Sequence, residues 1–240
     1  MILIMQESTG RDGRDGQVKH GLVIAIDGPA GAGKSTVAKL LASRLGYLYL
    51  DTGALYRAVA WKVKASGLAA DDHAAIADLL QHTDIHMDCA RDRVGVYVDG
   101  REVSQELRTP AVSSLASIVS AVPAVRKWLL PVQRRIGACG GVVAEGRDIG
   151  TAVFPAADIK FFLEADVEVR ATRRHHELVA AGHAVPLEQT KREISGRDAR
   201  DRTRDVAPLM PAPDAERIDT STIQAEEVVR HMLAVITAKL

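Results

Sequence analysis

A doubly wound α/β fold carrying a small antiparallel insertion is predicted by three features of the 240-residue sequence. Short apolar runs alternate with stretches of helical periodicity, the pattern of a parallel sheet covered by helices on both faces. The first of these runs breaks into a glycine-rich turn that opens a helix. The middle of the chain shows period-two alternation around an Asp-Gly pair, which belongs to a hairpin.

The elements follow in order. Leu22–Ile26 is a continuous apolar run, as a strand buried on both faces requires. Val37, Leu40, Leu41 and Leu45 have helical spacing, and Gly46 stands at the C-cap position. Tyr47–Leu50 is a second strand, and Leu55, Val59 and Val63 carry the next helix, for which Thr52 is an N-cap candidate. Ile85, Met87 and Cys89, then Val94, Val96 and Val98, alternate with other residues before the Asp99-Gly100 turn and Arg101–Val103. Val142–Ala144, Ile159–Leu163 and Arg217–Ile218 complete the sheet. A last helix presents Val229, Met232, Leu233 and Ile236 on one face, and Ser221 with Gln224 predicts a capping box at its start. Residues 21–240 form one domain: a core of 21–66 and 126–240, with an insertion at 67–125. Residues 1–20, which include GRDGRDG at 10–16, read as a flexible leader outside the fold.

Composition narrows the function. Hydrophobic residues make up 47% and charged residues 26%, so a sizeable core forms. Thirty-one basic residues balance 31 acidic ones, which argues against a polyanion binder working through bulk positive potential. No nucleic-acid partner is therefore expected. The longest charge-free run, Thr109–Val125, is broken by four serines and two prolines, so no membrane span is expected either. Cys89 and Cys139 lack metal spacing and read as reduced thiols of a cytoplasmic protein. The basic side is 22 Arg to 9 Lys, an excess of planar donor forks suited to phosphate and carboxylate.

Gly28-Pro29-Ala30-Gly31-Ala32-Gly33-Lys34-Ser35, followed by Thr36, is a phosphate-binding loop placed between a strand and a helix. Its glycines let backbone N–H groups converge on an anion at a helix N-terminus. Lys34 bridges terminal phosphates, Ser35 offers a hydroxyl to Mg²⁺, and Thr36 adds a phosphate contact. The guanine-reading Asn-Lys-x-Asp string of a GTPase does not occur, and no acidic pair follows Val142–Ala144 as in a motor. Arg147-Asp148 stands there instead, an arginine at a strand's carboxyl end suited to a second phosphate. Asp51-Thr52-Gly53 matches the aspartic-protease string, but the residues after it have helical periodicity, so that class is set aside. Arg197, Asp201 and Arg204 share one helical face, with Arg200 beside them and Arg202 pointing away. Arg170, Arg173, Arg174 and Glu177 form another stripe, and Gly182–Thr190 between them reads as irregular. The two stripes are either a solvated, salt-bridged surface or a lid at about 173–204 that closes over phosphates.

Five strings, IDGPAGAGKST, YLDTGALYRAVAW, RTPAVSSLASIVSAVPAVR (108–126), EGRDIGTAVFPAADIKFFLEA and RDARDRTRDVAPL, together closely resemble bacterial-type cytidylate kinases. The resemblance runs from about Leu22 to the C-terminus. It implies the P-loop nucleoside monophosphate kinase fold: a five-stranded parallel core, an inserted monophosphate-binding region with a small antiparallel sheet, and a lid. It further implies phosphorylation of CMP and dCMP by ATP with Mg²⁺. Carried over by position, Ser117, Arg126 and Asp148 read cytosine. Arg57, Arg147 and Arg204 surround the acceptor phosphate. Arg197 and Asp201 lie near sugar and phosphate, Thr52 matches a small hydroxyl position, and Arg108 a position in the insertion. Lys34, Arg147, Arg197 and Arg204 are the expected catalytic set, and closure of the lid is expected to bring Arg173 or Arg174 onto the ATP phosphates. The resemblance implies a monomer. Two other readings stay open on the residues alone: a P-loop kinase of another small acceptor, UMP or a shikimate-like metabolite, and a nucleotide-binding regulatory ATPase.

Overall fold

The structure is a computed structural model and describes residues 21–90 and 93–239; the leader expected at 1–20 lies outside them. The chain begins β1 (Val23–Asp27), α1 (Lys34–Leu45), β2 (Leu48–Asp51), α2 (Thr52–Ala65) and α3 (His73–Gln81). Next come β3 (Ile85–Ala90), β4 (Arg93–Val98), β5 (Arg101–Glu102), α4 (Pro110–Val119) and α5 (Pro123–Gly137). It closes with β6 (Val142–Gly146), β7 (Ile159–Glu164), α6 (Val167–Ala180), α7 (Leu187–Thr203), β8 (Glu216–Asp219) and α8 (Ala225–Lys239).

Five strands form a parallel sheet in the order β2-β6-β1-β7-β8. β1 pairs in register with β6 (Val23 opposite Val142) and with β7 (Ile24 opposite Ile159), so the phosphate-binding loop leaves from the middle of the sheet. Ile24, Ile26, Phe161 and Leu163 pack against α1 and α8 on one face. Ala25, Leu50, Val142 and Ala144 face Ile149 and Val153 on the other. These runs are apolar throughout because helices cover both sides.

The insertion holds β3-β4-β5, an antiparallel sheet whose Asp99-Gly100 turn has φ of 51° and 80°, the left-handed pair of a tight hairpin. Ile85, Val96 and Val98 join Ile76, Val112, Val119 and Leu129 in a core separate from those on the main sheet. That core also takes in Leu55, Val59 and Val63 of α2, so α2 and α5 bind the inserted elements to the main sheet.

Four local expectations are corrected. Asp51, not Thr52, caps α2: its carboxylate accepts from Ala54 N, and Thr52 is already helical. The Ser221–Gln224 capping box does not form, because α8 starts only at Ala225 and the Ser221 hydroxyl donates to Asp219 instead. Residues 187–190, expected to be irregular, are the first turn of α7; Pro186 is tolerated ahead of it because its fixed φ of −61° suits a helix entrance. Arg204 lies one residue past α7 in extended backbone, although its N–H still donates to Arg200 O.

Candidate active site

The phosphate-binding loop is shaped by what β1 must pass. A Cβ on Gly28 would sit 2.1 Å from Leu163 O, and its φ of +147° suits only glycine. Gly33 starts α1 in the left-handed region with no side-chain cap, and no acidic residue occupies the first turn. The first N–H groups of α1 therefore have no anion of the protein's own, the arrangement that binds phosphate. Ser35 and Thr36 stand exposed there. Lys34 is only 5% exposed, and its Nζ donates to Pro29 O at 2.6 Å. Burial, then Arg147 and Arg197, push its pKa down to about 7 against the pull of Glu145 and Asp27.

Beside this loop the sequence-predicted arginines converge. Arg126 of α5 donates to Asp148 at 2.5 Å, and Arg204 reaches the other oxygen of that carboxylate at 3.3 Å. Arg147 donates from Nε to Asp201 at 2.9 Å, while Arg204 lies 3.6 Å and Arg197 4.0 Å from the same carboxylate. Burial pushes Asp201 up, but Arg147, Arg197 and Arg204 outweigh it and hold the carboxyl below its usual range. Four guanidinium groups thus share two carboxylates, leaving an excess of two positive charges. The Arg197 Nε is buried without a hydrogen-bond partner, a donor that a bound anion would satisfy.

The strand ends supply the rest. Thr52 donates to Glu145 O at 2.7 Å, locking α2 to β6, and Arg57 pairs with Asp51 at 2.6 Å. A Cβ on Gly53 would come within 3.1 Å of the Arg57 guanidinium, so glycine leaves room for that pair. Ser117 of α4 is reached from α7 by Arg200.

The stripes at 170–177 and 197–204 lie on α6 and α7, which pack side by side. Arg170 is buried, donating to Ala30 O in the phosphate-binding loop and pairing with Asp198 at 2.6 Å. Arg173 donates to Thr220 O at 2.6 Å, whereas Arg174 pairs with Glu177 at 2.9 Å and lies close enough to lower the pKa of Arg197. Arg108 stands apart, exposed at the end of the short turn Glu106–Arg108.

Several residues that sequence reasoning passed over matter to this geometry. Asp27 accepts from Ile149 N and Gly150 N, both at 2.8 Å, and so fixes the turn that follows Arg147 and Asp148. Burial raises its pKa to about 6. Arg134 donates to Val153 O and Ala152 O at the other end of that turn. Glu145 is buried, accepts from the Tyr49 hydroxyl and from Ser35, and has its pKa raised by burial. A carboxylate ending each of two apolar strands was the available signal for Asp27 and Glu145. Helical position set Arg200 beside the 197–204 face and Arg202 away from it, but nothing local pointed to Ser117 as the partner of Arg200.

Among the described residues no His, Cys, Asp and Glu side chains gather into a metal-binding cluster of three or more. No single helix there is long and apolar enough to cross a membrane. Comparison with known proteins agrees with the geometry. The family profile described as cytidylate kinase matches residues 24–238. A cytidylate kinase of Pelotomaculum thermopropionicum is 50% identical over 216 residues, 90% of this chain and 96% of the relative. One from Carboxydothermus hydrogenoformans is 49% identical over 216 residues, 90% and 97% of the two chains. An uncharacterized protein from Eubacterium ventriosum has a solved structure with a TM-score of 0.51 and 12% identity over 90% of this chain and 98% of that one, a likeness of fold alone. With its phosphate-binding loop and arginine network inside a match that spans nearly its whole length, this chain belongs to the cytidylate kinase family.

Proposed function

We propose that the chain transfers the γ-phosphoryl group of ATP to CMP or dCMP, giving ADP and CDP or dCDP. The observation that carries this reading is Asp148, bridged by Arg126 and Arg204 within a network whose guanidinium excess is two charges. A cytidine monophosphate complements it on both counts. Its phosphate, with a second pKa near ~6, is a dianion at neutral pH. Its exocyclic amino group donates well to a carboxylate.

On this reading Arg57, Arg147, Arg197 and Arg204 hold the acceptor phosphate, Ser117, Arg126 and Asp148 read the base, and Asp201 takes ribose hydroxyls. Thr52 orders the floor between them. Residues 28–36 cradle the ATP phosphates, Lys34 spans the transferring group, and Arg174 or Arg173 closes over it when α6 and α7 act as a lid. Residues 67–125 serve as the acceptor-binding arm. The Ser35 hydroxyl with the Glu145 carboxylate behind it suits magnesium, which takes few protein oxygens and keeps its waters. When bound, Mg²⁺ neutralises charge on the ATP phosphates. No general base is needed, since the acceptor is already an anionic nucleophile. The protein's work is to hold two repelling phosphates in line and exclude water. The partners on this reading are small molecules only, met by a cytoplasmic monomer.

An ADP-release assay with ATP and Mg²⁺ across CMP, dCMP, UMP, AMP and shikimate tests it. CMP and dCMP should be turned over with the highest kcat/KM. ATP turnover independent of any acceptor, or equal rates on CMP and AMP, would overturn the reading.

A further inference from the structure

Arg200 stands behind one of the base-reading residues without belonging to them. It extends from α7 to Ser117 on α4, and both its Nε, at 3.2 Å, and its Nη2, at 3.1 Å, donate to the Ser117 hydroxyl oxygen. Ser117 is 2% exposed. A hydroxyl has one hydrogen to give and two lone pairs to accept with. With two guanidinium N–H groups on the oxygen, Ser117 retains only the power to donate. Among the described residues, no acceptor takes that hydrogen.

The neighbouring group has the opposite sense. Asp148, bridged by Arg126 and Arg204, is an acceptor only. Arg126 also donates to Ser120 O at 3.0 Å, and the Ser120 hydroxyl donates to Ser117 O, so the end of α4 and Asp148 belong to one cluster. Arginines thus fix the sense of both groups: a donor at Ser117 and an acceptor at Asp148. Cytosine presents an amino donor beside a ring acceptor. Uracil presents the reverse, a carbonyl acceptor beside a ring N–H. A serine free to rotate serves either base; one saturated from behind cannot accept from the uracil N–H.

We infer that Arg200 is a positioning residue that commits the Ser117 hydroxyl to donating, and thereby sets the preference for cytosine over uracil. The inference deepens the proposed function and rests on it. A planar fork is what places two N–H groups on one oxygen, so lysine replaces it only in part.

The test is the ratio of kcat/KM for CMP to kcat/KM for UMP in the wild type, Arg200→Met, Arg200→Lys, Ser117→Ala and the Ser117→Ala/Arg200→Met double variant. Both substrates are compared on one preparation, so any loss of folded enzyme cancels. Arg200→Met should narrow the ratio about tenfold, the scale of one discriminating buried hydrogen bond. Arg200→Lys should restore part of it. In the Ser117→Ala background, Arg200→Met should shift the ratio by less than about twofold, because the group it positions is gone. A ratio unchanged in Arg200→Met, or narrowed equally with and without Ser117, would overturn the inference. A wild type that phosphorylates neither pyrimidine overturns the proposed function itself, whatever the variants do.

Discussion

The two halves of the site are charged in different ways. On the donor side, Lys34 is buried against a carbonyl, and burial with the neighbouring Arg147 and Arg197 weakens its hold on a proton. On the acceptor side, Arg57, Arg126, Arg147 and Arg204 each already have a carboxylate within 3.3 Å. On the proposed reading the donor half is completed only by an incoming polyphosphate, whose charge would restore the lysine. The acceptor half, the unpartnered Arg197 Nε apart, is assembled before its ligand would arrive. The contrast fits the ligands each half would take. A triphosphate brings abundant negative charge, whereas a monophosphate must also be recognised by its base, and recognition needs donors and acceptors already in place.

Substitutions sharpen this contrast, beginning with the largest effect. Arg147→Ala removes a guanidinium placed between the two halves and should lower kcat/KM for CMP by about 10³-fold or more in steady-state assays, with the fold intact. A value near wild type would break the assignment of the acceptor side. Asp148→Asn should cost CMP about 10²-fold relative to wild type and lower unfolding free energy in urea by about 3 kcal/mol, because Arg126 and Arg204 lose a buried counter-charge. Lys34→Met should abolish transfer yet raise Tm by a few degrees, roughly 1 kcal/mol, since it removes a buried ammonium for which burial, Arg147 and Arg197 outweigh the pull of Glu145 and Asp27. A lowered Tm would mean that the donor half is as well satisfied as the acceptor half. Thr52→Val, which deletes the bond to Glu145 O, should cost about 1 kcal/mol by the same urea melts.

How much of this was legible in sequence depends on the range of the interaction. The parallel sheet, the Asp99-Gly100 hairpin and the loop at 28–36 follow from local patterns and appear within a residue or two of where those patterns put them. The arginines at 126, 147, 197 and 204 could be singled out, and they do meet. What the linear pattern could not show is which carboxylate each would face, because Arg126 and Asp148 are 22 residues apart and Arg204 and Asp148 are 56 apart. Local capping failed for a related reason. Thr52 and Ser221 are good cap residues, but a distant carbonyl, Glu145 O, claimed the first hydroxyl, and the second went to Asp219 two residues upstream rather than to the helix. Asp27 escaped notice because a carboxylate next to a phosphate-binding loop reads as repulsive until its two backbone donors, 122 and 123 residues away, are known.

The contrast between the halves is tested most directly by proton uptake on binding. Lys34 has a pKa of about 7 in the free protein, below its ordinary value, so it is largely neutral at about pH 8. Phosphates beside it raise that pKa, and binding should draw in a proton. Calorimetry of MgATP binding at about pH 8, in buffers of different ionisation enthalpy, should show uptake approaching one proton, which Lys34→Met removes and which fades by about pH 6. CMP binding under the same conditions should show a smaller uptake, because on the proposed reading its phosphate meets Arg147 and Arg197 rather than Lys34 itself. Absence of uptake with MgATP, or equal uptake with CMP, would contradict the account.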